Sequence, residues 1–197
     1  MPMDPRDRRP PPASVVTAFG GDPEAARALP GGAGRSWRVG PVVLKPGQDE
    51  RLVAWTATFV RALDAGGRFR VAEHVAASDG RWVVDGWAAT TWLDGAHLDG
   101  QWDRVLDVSR SFHVAAAATG FGPPAELAGR SDPWAVGDRV AWGEQPPPGD
   151  APPALTRLLA RLEPLLTDVR PALERQVIHG DLGGNVLSPK ELGSHLR

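Results

Sequence analysis

The chain has 197 residues and a formal net charge of -2, so it lacks the positive field of a general nucleic-acid or anionic-membrane binder. That length suffices for one medium domain or two small lobes with a buried core. It contains no cysteine, which excludes disulfides and thiolate metal sites and leaves a reducing compartment allowed.

Residues 1–12 are rich in Pro and Arg with interspersed Asp, and this composition predicts a disordered arm without the apolar core of a signal peptide. No stretch is long and apolar enough to span a bilayer, and the sequence predicts a soluble, cytoplasmic protein. From Pro12 to Ala28 the pattern predicts one or two short helices, with Val15, Val16 and Phe19 on one face and Asp22-Pro23-Glu24 as a helix start. Pro30-Gly31-Gly32-Ala33-Gly34-Arg35-Ser36 is a glycine-dense turn. It leads through Trp37-Arg38-Val39 and the Gly40-Pro41 turn into the β-rich run Val42-Val43-Leu44-Lys45. Asp49 is placed to cap a helix from Glu50 to about Leu63, with Leu52, Trp55, Phe59 and Leu63 at helical spacing. After Gly66-Gly67, residues 69–77 and 81–92 read as a strand pair joined at Ser78-Asp79-Gly80, and Asp94-Gly95 closes this half.

The second half is helical. Residues 102–119 carry an apolar face of Trp102, Val105, Leu106 and Phe112, and Ser131-Asp132-Pro133 opens a helix bearing Trp134 and Trp142. A proline-rich connector over 146–153 precedes Leu155, Leu158, Leu159, Leu162, Leu165, Leu166 and Val169, an amphipathic stretch with Pro164 inside it.

Chemistry concentrates in Val177-Ile178-His179-Gly180-Asp181-Leu182-Gly183-Gly184-Asn185-Val186-Leu187. This places a histidine, a carboxylate and an amide on a glycine-bearing turn between two apolar runs. Phosphoryl-transfer enzymes use such an arrangement to hold a hydroxyl nucleophile beside a metal-bound nucleotide. Asp181 would orient, or take a proton from, an attacking hydroxyl. Asn185 offers a neutral oxygen to Mg²⁺, and His179 would brace the turn. The alternative is a plain β-turn in which Asp181 caps local amides and Asn185 adopts a left-handed conformation. A second pointer is Lys45. Of 22 basic residues, Lys45 and Lys190 alone are lysine, and a compact ammonium at a strand end suits phosphate oxygens in a way arginine does not.

The late turn resembles the catalytic loop of the aminoglycoside phosphotransferase and choline kinase group, the small-molecule branch of the protein-kinase-like fold. The resemblance extends to other segments in order. Gly31, Gly32, Gly34 and Ser36 are similar to the loop that folds over nucleotide phosphates. Val42 to Lys45 resembles the third strand with its phosphate-binding lysine, and residues 88–95, including Thr90 and Trp92, resemble the strand and hinge that pair with adenine through backbone groups. Phe112-His113 is similar to the Leu-His of that family's helical lobe. The resemblance implies an α+β, two-lobe, protein-kinase-like fold. Residues 1–12 would be an arm, 13–93 the β-rich N-lobe and 94–197 a partial, mainly helical C-lobe. It also implies ATP and Mg²⁺ as cofactors, a small-molecule hydroxyl acceptor, and transfer of the γ-phosphate to it. A non-catalytic nucleotide-binding module or relic fragment is the competing expectation.

Three departures accompany this resemblance. Three residues rather than four separate Asp181 from Asn185. The helix over 51–62 contains no acid to pair with Lys45, and Glu50 sits at its start, where it suits the helix dipole. After Leu187 there is no strand-borne carboxylate to bind the second metal; Glu191 follows too closely. The expectation is therefore a C-terminally truncated, impaired phosphotransferase, prone to self-association through the leucine face of residues 155–169.

Overall fold

The computed structural model describes residues 9–30, 34–169 and 176–189. Among these the fold is mixed α+β, with an antiparallel sheet and six α-helices. It divides into two compact units, described separately. The first holds the described residues up to Gly122 and those from Val177 onward, and the second runs from Pro123 to Gln176. The expected lobe boundary after Leu93 thus lies inside the first unit.

The first unit opens with α1 (Ala13–Ala18) and a 3₁₀ turn at Pro23–Ala25, started by Asp22, whose carboxylate accepts the Glu24 N–H at 3.0 Å. Helix was expected as far as Ala28, but Arg27–Ala28 instead form β1. Two residues carry no periodicity of their own, and pairing with Arg38 and Trp37 makes them a strand. β2 (Trp37–Val39) turns at Gly40, where φ is 56°, a conformation that favours glycine. β3 (Val42–Pro46) follows, then α2 (Glu50–Ala62), capped by Asp49 through the Leu52 N–H at 2.9 Å.

Residues 69–77 were expected as strand, yet only β4 (His74–Val75) pairs; Phe69 and Val71 pack instead against an aromatic cluster. The run 81–92, read as one strand, is a hairpin of β5 (Val83–Val84) and β6 (Trp87–Thr91). Asp85 and Gly86 take φ of 49° and 77°, as an Asp-Gly two-residue hairpin turn requires. The sheet order is β1-β2-β3-β6-β4, with β5 also paired to β6.

Side chains alternate across the sheet, so the register sorts them into two faces. Val42, Leu44, Val75, Trp87 and Ala89 join Val15, Val16 and Phe19 of α1 in the main core, where Leu44, Val15 and Ala89 are fully buried. Burial at about 25 cal/mol per Å² makes this apolar layer the main source of the unit's stability. Val43, Lys45, His74, Ala88 and Thr90 fall on the opposite face.

α3 (Trp102–Ala118) lies beyond the sheet in the same unit. Its Phe112 and Ala116 meet Phe59 of α2, with Phe69, Phe121 and Val177 around them. Its Val105 packs with Leu98, Leu182 and Val186. Of the expected apolar face of this helix, Trp102 and Leu106 are exposed. β7 (Ala96–His97) and β8 (Leu187–Ser188) pair antiparallel, a link without a sequence signal.

The second unit contains α4 (Ala125–Ala128), α5 (Pro133–Ala141) and α6 (Pro153–Val169). Asp132 caps α5 through the Ala135 N–H at 3.2 Å. Val136 and Val140 of α5 and Leu155 and Leu159 of α6 line an apolar depression of about 320 Å³. Trp134, Leu158 and Leu165 are exposed. Pro164 stands inside α6, which continues through it. Among the described residues no helix is long and apolar enough to cross a membrane.

Candidate functional site

The late turn is built on α3. His113 and Phe112 are neighbours on that helix, and the ring of His179 meets Phe112 edge-on with centroids 5.9 Å apart. The backbone N–H of His179 donates to His113 Nε2 at 3.2 Å. The next link runs inward: the Asp181 N–H donates to Nδ1 of His179, also at 3.2 Å. Asn185 closes the turn from the other side. Its Nδ2 donates to the backbone carbonyl of Asp181 at 2.7 Å, and its own N–H donates to the Leu182 carbonyl at 3.0 Å. Gly184 supplies the left-handed residue, with φ of 76°.

Both backbone groups of Asp181 are thereby held, while its carboxylate is exposed and accepts no hydrogen bond among the described residues. The plain-turn alternative required a carboxylate folded back onto local amides and a left-handed Asn185. Neither is present: the positive φ belongs to Gly184. The missing residue in the Asp181–Asn185 spacing also has a local consequence. The short Leu182-Gly183-Gly184 segment turns Asn185 back onto Asp181 itself.

Burial of the His179 ring holds its pKa below the usual 6.5; the Asp181 carboxylate opposes that shift and His113 adds to it. His179 is therefore a neutral brace near neutral pH, its Nδ1 already accepting a hydrogen bond.

The residues expected to bind nucleotide fall on the sheet of the same unit. Gly31 and Gly32 lie outside the described residues. Gly34 is buried with φ of 65°, and the Ser36 carbonyl accepts the Leu29 N–H at 2.9 Å. Gly34 and Ser36 therefore lie in the connection between β1 and β2. Lys45 is exposed on β3 opposite Ala88 of β6, and its ammonium has no carboxylate partner among the described residues. Its charge acts on His74, whose pKa burial lowers. Hydrogen bonding to the Ala89 backbone opposes this, and the charge of Lys45 adds to it.

Glu50 does not serve Lys45. Its two carboxylate oxygens accept the N–H groups of Trp82 and Val83 at 3.0 and 2.7 Å, pinning the start of α2 to the β5–β6 hairpin. The expected hinge is also partly committed. Thr90 lies in the β3–β6 ladder, the Thr91 N–H donates to Glu73, and the Trp92 N–H donates to Pro41 at 2.7 Å. The Arg38 guanidinium sits 4.4 Å from the centre of the Trp92 ring, a cation–π distance. Adenine pairing through the Trp92 N–H is therefore not open, and β6 itself is paired on both sides, to β3 on one and to β4 and β5 on the other.

The structure brings His179, Asp181 and Asn185 together in one turn, and Lys45 and Thr90 onto one face of the sheet, with Gly34 and Ser36 in the β1–β2 connection and Trp92 just after β6. No hydrogen bond or ion pair among the described residues joins the two sets. Sequence reading missed three contributors. Ser109 lies 3.3 Å from His113 Nδ1 and shows itself only by its i,i+4 spacing on α3. Trp102 reaches within 3.9 Å of the space over Gly183 and is 63 % exposed, so an indole stands beside the turn. Gly95 packs its bare Cα against β8.

The residues present can be tested against a hard cation. With its Nδ2 fixed on the Asp181 carbonyl, Asn185 must present Oδ1 outward. No group of three or more His, Cys, Asp or Glu among the described residues forms a metal cage. One outward neutral oxygen fits Mg²⁺ of the kind held chiefly by nucleotide phosphates and water. Comparison of the chain with protein-family models, with characterised proteins and with solved structures finds no match.

Proposed function

We propose that the chain is an ATP-dependent phosphotransferase of the small-molecule kinase type, with a protein-kinase-like arrangement of a β-rich and a helical lobe. The observation that carries this reading is Asp181. A carboxylate whose backbone is fixed on both sides, but whose oxygens accept no hydrogen bond among the described residues, is organised for an external proton or hydroxyl. Gly34 in the β1–β2 connection and Lys45 on β3, whose ammonium has no carboxylate partner among the described residues, support it, since such enzymes work mainly by positioning and charge neutralisation around phosphates.

In this reading Lys45 and the glycine loop hold nucleotide phosphates, Asp181 orients the acceptor hydroxyl and receives its proton, and His179 fixes the turn. Asn185 Oδ1 would hold Mg²⁺, which when bound neutralises phosphate charge. The acceptor is a small molecule bearing a hydroxyl. Self-association belongs to the same proposal: Trp134, Leu158 and Leu165 expose apolar surface on the second unit, and sedimentation reads it.

The competing reading, a nucleotide-binding module without catalysis, is favoured by Glu50, which serves the hairpin amides rather than Lys45. One assay separates the two. Phosphotransfer predicts Mg²⁺-dependent ATP turnover that Asp181→Asn abolishes while MgATP still raises the melting temperature. A thermal shift without turnover supports the binding module. No shift with MgATP in the wild type overturns both.

A further inference from the structure

We infer that Ser109 and His113 are positioning residues for Asp181, and that they hold its turn only while the His113 and His179 imidazoles are both neutral. The claim about the turn stands on geometry alone; its consequence for turnover rests on the phosphotransfer reading.

The two imidazoles act in series, each accepting a backbone N–H: His113 Nε2 takes that of His179, and His179 Nδ1 takes that of Asp181. A ring nitrogen that accepts carries no hydrogen, so neutral His113 must bear its hydrogen on Nδ1 and neutral His179 on Nε2. Ser109 Oγ, one helical turn earlier and 3.3 Å from His113 Nδ1, is placed to accept that hydrogen. The His179 N–H on Nε2 thus sets the tautomer, and the hydroxyl gives the Nδ1 hydrogen its partner. Asp181 is reached through a chain of three bonds that starts on α3, a helix anchored by Phe112 in the aromatic cluster.

Protonating either ring puts a hydrogen where an N–H already points, and both donors then face each other. The amide of His179 or of Asp181 loses its partner, and the carboxylate loses its fixed base. The charged and titratable groups acting on the His179 ring are Asp181, which favours its charged form, and His113, which opposes it. From α2 and from the segment that follows it, the side chains packed around Phe112 are aromatic, Phe59 and Phe69. On α3 the nearby Arg110–Asp107 pair is exposed and bonded to itself at 3.3 Å. Burial favours the neutral form of the His179 ring.

The test uses the whole chain without nucleotide. Long-range ¹H–¹⁵N spectra at about pH 7.5 should show the Nδ1–H tautomer for His113 and the Nε2–H tautomer for His179. On acidification to about pH 5.5, protection of the His179 and Asp181 amides against exchange should fall about tenfold, the loss of roughly one hydrogen bond. Ser109→Ala removes the partner of the Nδ1 hydrogen and should lower protection of the His179 amide. In His113→Gln the amide oxygen accepts the same N–H without titrating, so the His179 amide should stay protected at the lower pH. A dominant Nε2–H tautomer for His113, or protection indifferent to protonation of both rings, overturns the inference. Where turnover is present, its acid limb should move to lower pH in His113→Gln, and an unmoved limb counts against the positioning role. Absence of turnover at every pH defeats the phosphotransfer reading, and the spectra then decide this inference alone.

Discussion

Gly95→Ala probes the joint between the hinge segment and the late turn. A Cβ at Gly95 would sit 2.7 Å from the Ser188 carbonyl oxygen and 2.9 Å from the Leu187 Cβ. Ordinary contact begins near 3.4 Å, so β7 and β8 must separate by about 0.7 Å (3.4 less 2.7), which stretches a normal ladder hydrogen bond out of range. The atoms in the way are backbone and a Cβ, which cannot swing aside as a long side chain would. Overpacking of this kind costs about 1–3 kcal/mol. At about 2 kcal/mol, and roughly 2–4 °C per kcal/mol for a chain of this size, the melting temperature should fall by about 4–8 °C. Gly183→Ala is the matched control: its Cβ would find nothing nearer than the Trp102 ring at 3.9 Å and its φ is not left-handed, so its effect should stay within about 0.5 kcal/mol. Urea unfolding followed by near-ultraviolet circular dichroism reads both, and exchange at the Leu98 amide, which donates to Val186 at 3.1 Å, reads the joint itself. Equal stability of the two variants would refute the claim that β7–β8 pairing demands a bare Cα.

Leu44→Ala removes a fully buried side chain from the sheet's core face and should lower unfolding free energy by about 2–5 kcal/mol; a loss below about 1 kcal/mol in urea would show that the layer is not packed as described. Glu50→Ala strips two amides of their acceptor at an exposed position and should cost about 1 kcal/mol while leaving MgATP affinity unchanged; a large affinity loss by calorimetry would return Glu50 to Lys45. The pKa of both His74 and His179 is held below 6.5 by burial, so the unfolded chain binds these protons more readily. Stability should therefore be fully present above about pH 6.5, decline as pH drops below it, and level off below the folded-state values. Denaturation midpoints that rise on acidification through that window would contradict the burial of these rings.

The fold was legible wherever a few neighbouring residues settle the matter. Asp49 and Asp132 cap the helices they precede, Gly40 turns β2 into β3, and Lys45 ends a strand with an apolar run behind it. The Asp85-Gly86 hairpin was equally legible, flanked by Val83-Val84 and Trp87, but was read through as one strand. The late turn was recognisable from residue types because His179, Asp181 and Asn185 interact within seven residues of each other.

Other features had no local signature. β1, β4, β7 and β8 are two-residue strands, too short for any alternation, and exist because a partner supplies the missing hydrogen bonds. Glu50 had a choice between the Lys45 ammonium and two hairpin amides, and only the placement of α2 beside β5 decided it. The sequence by itself determined the capped helices and the glycine turns, because backbone conformation is chosen within one or two turns of chain. What His113 holds in place was decided by tertiary structure, because its Nε2 accepts the N–H of His179, 66 residues further along the chain.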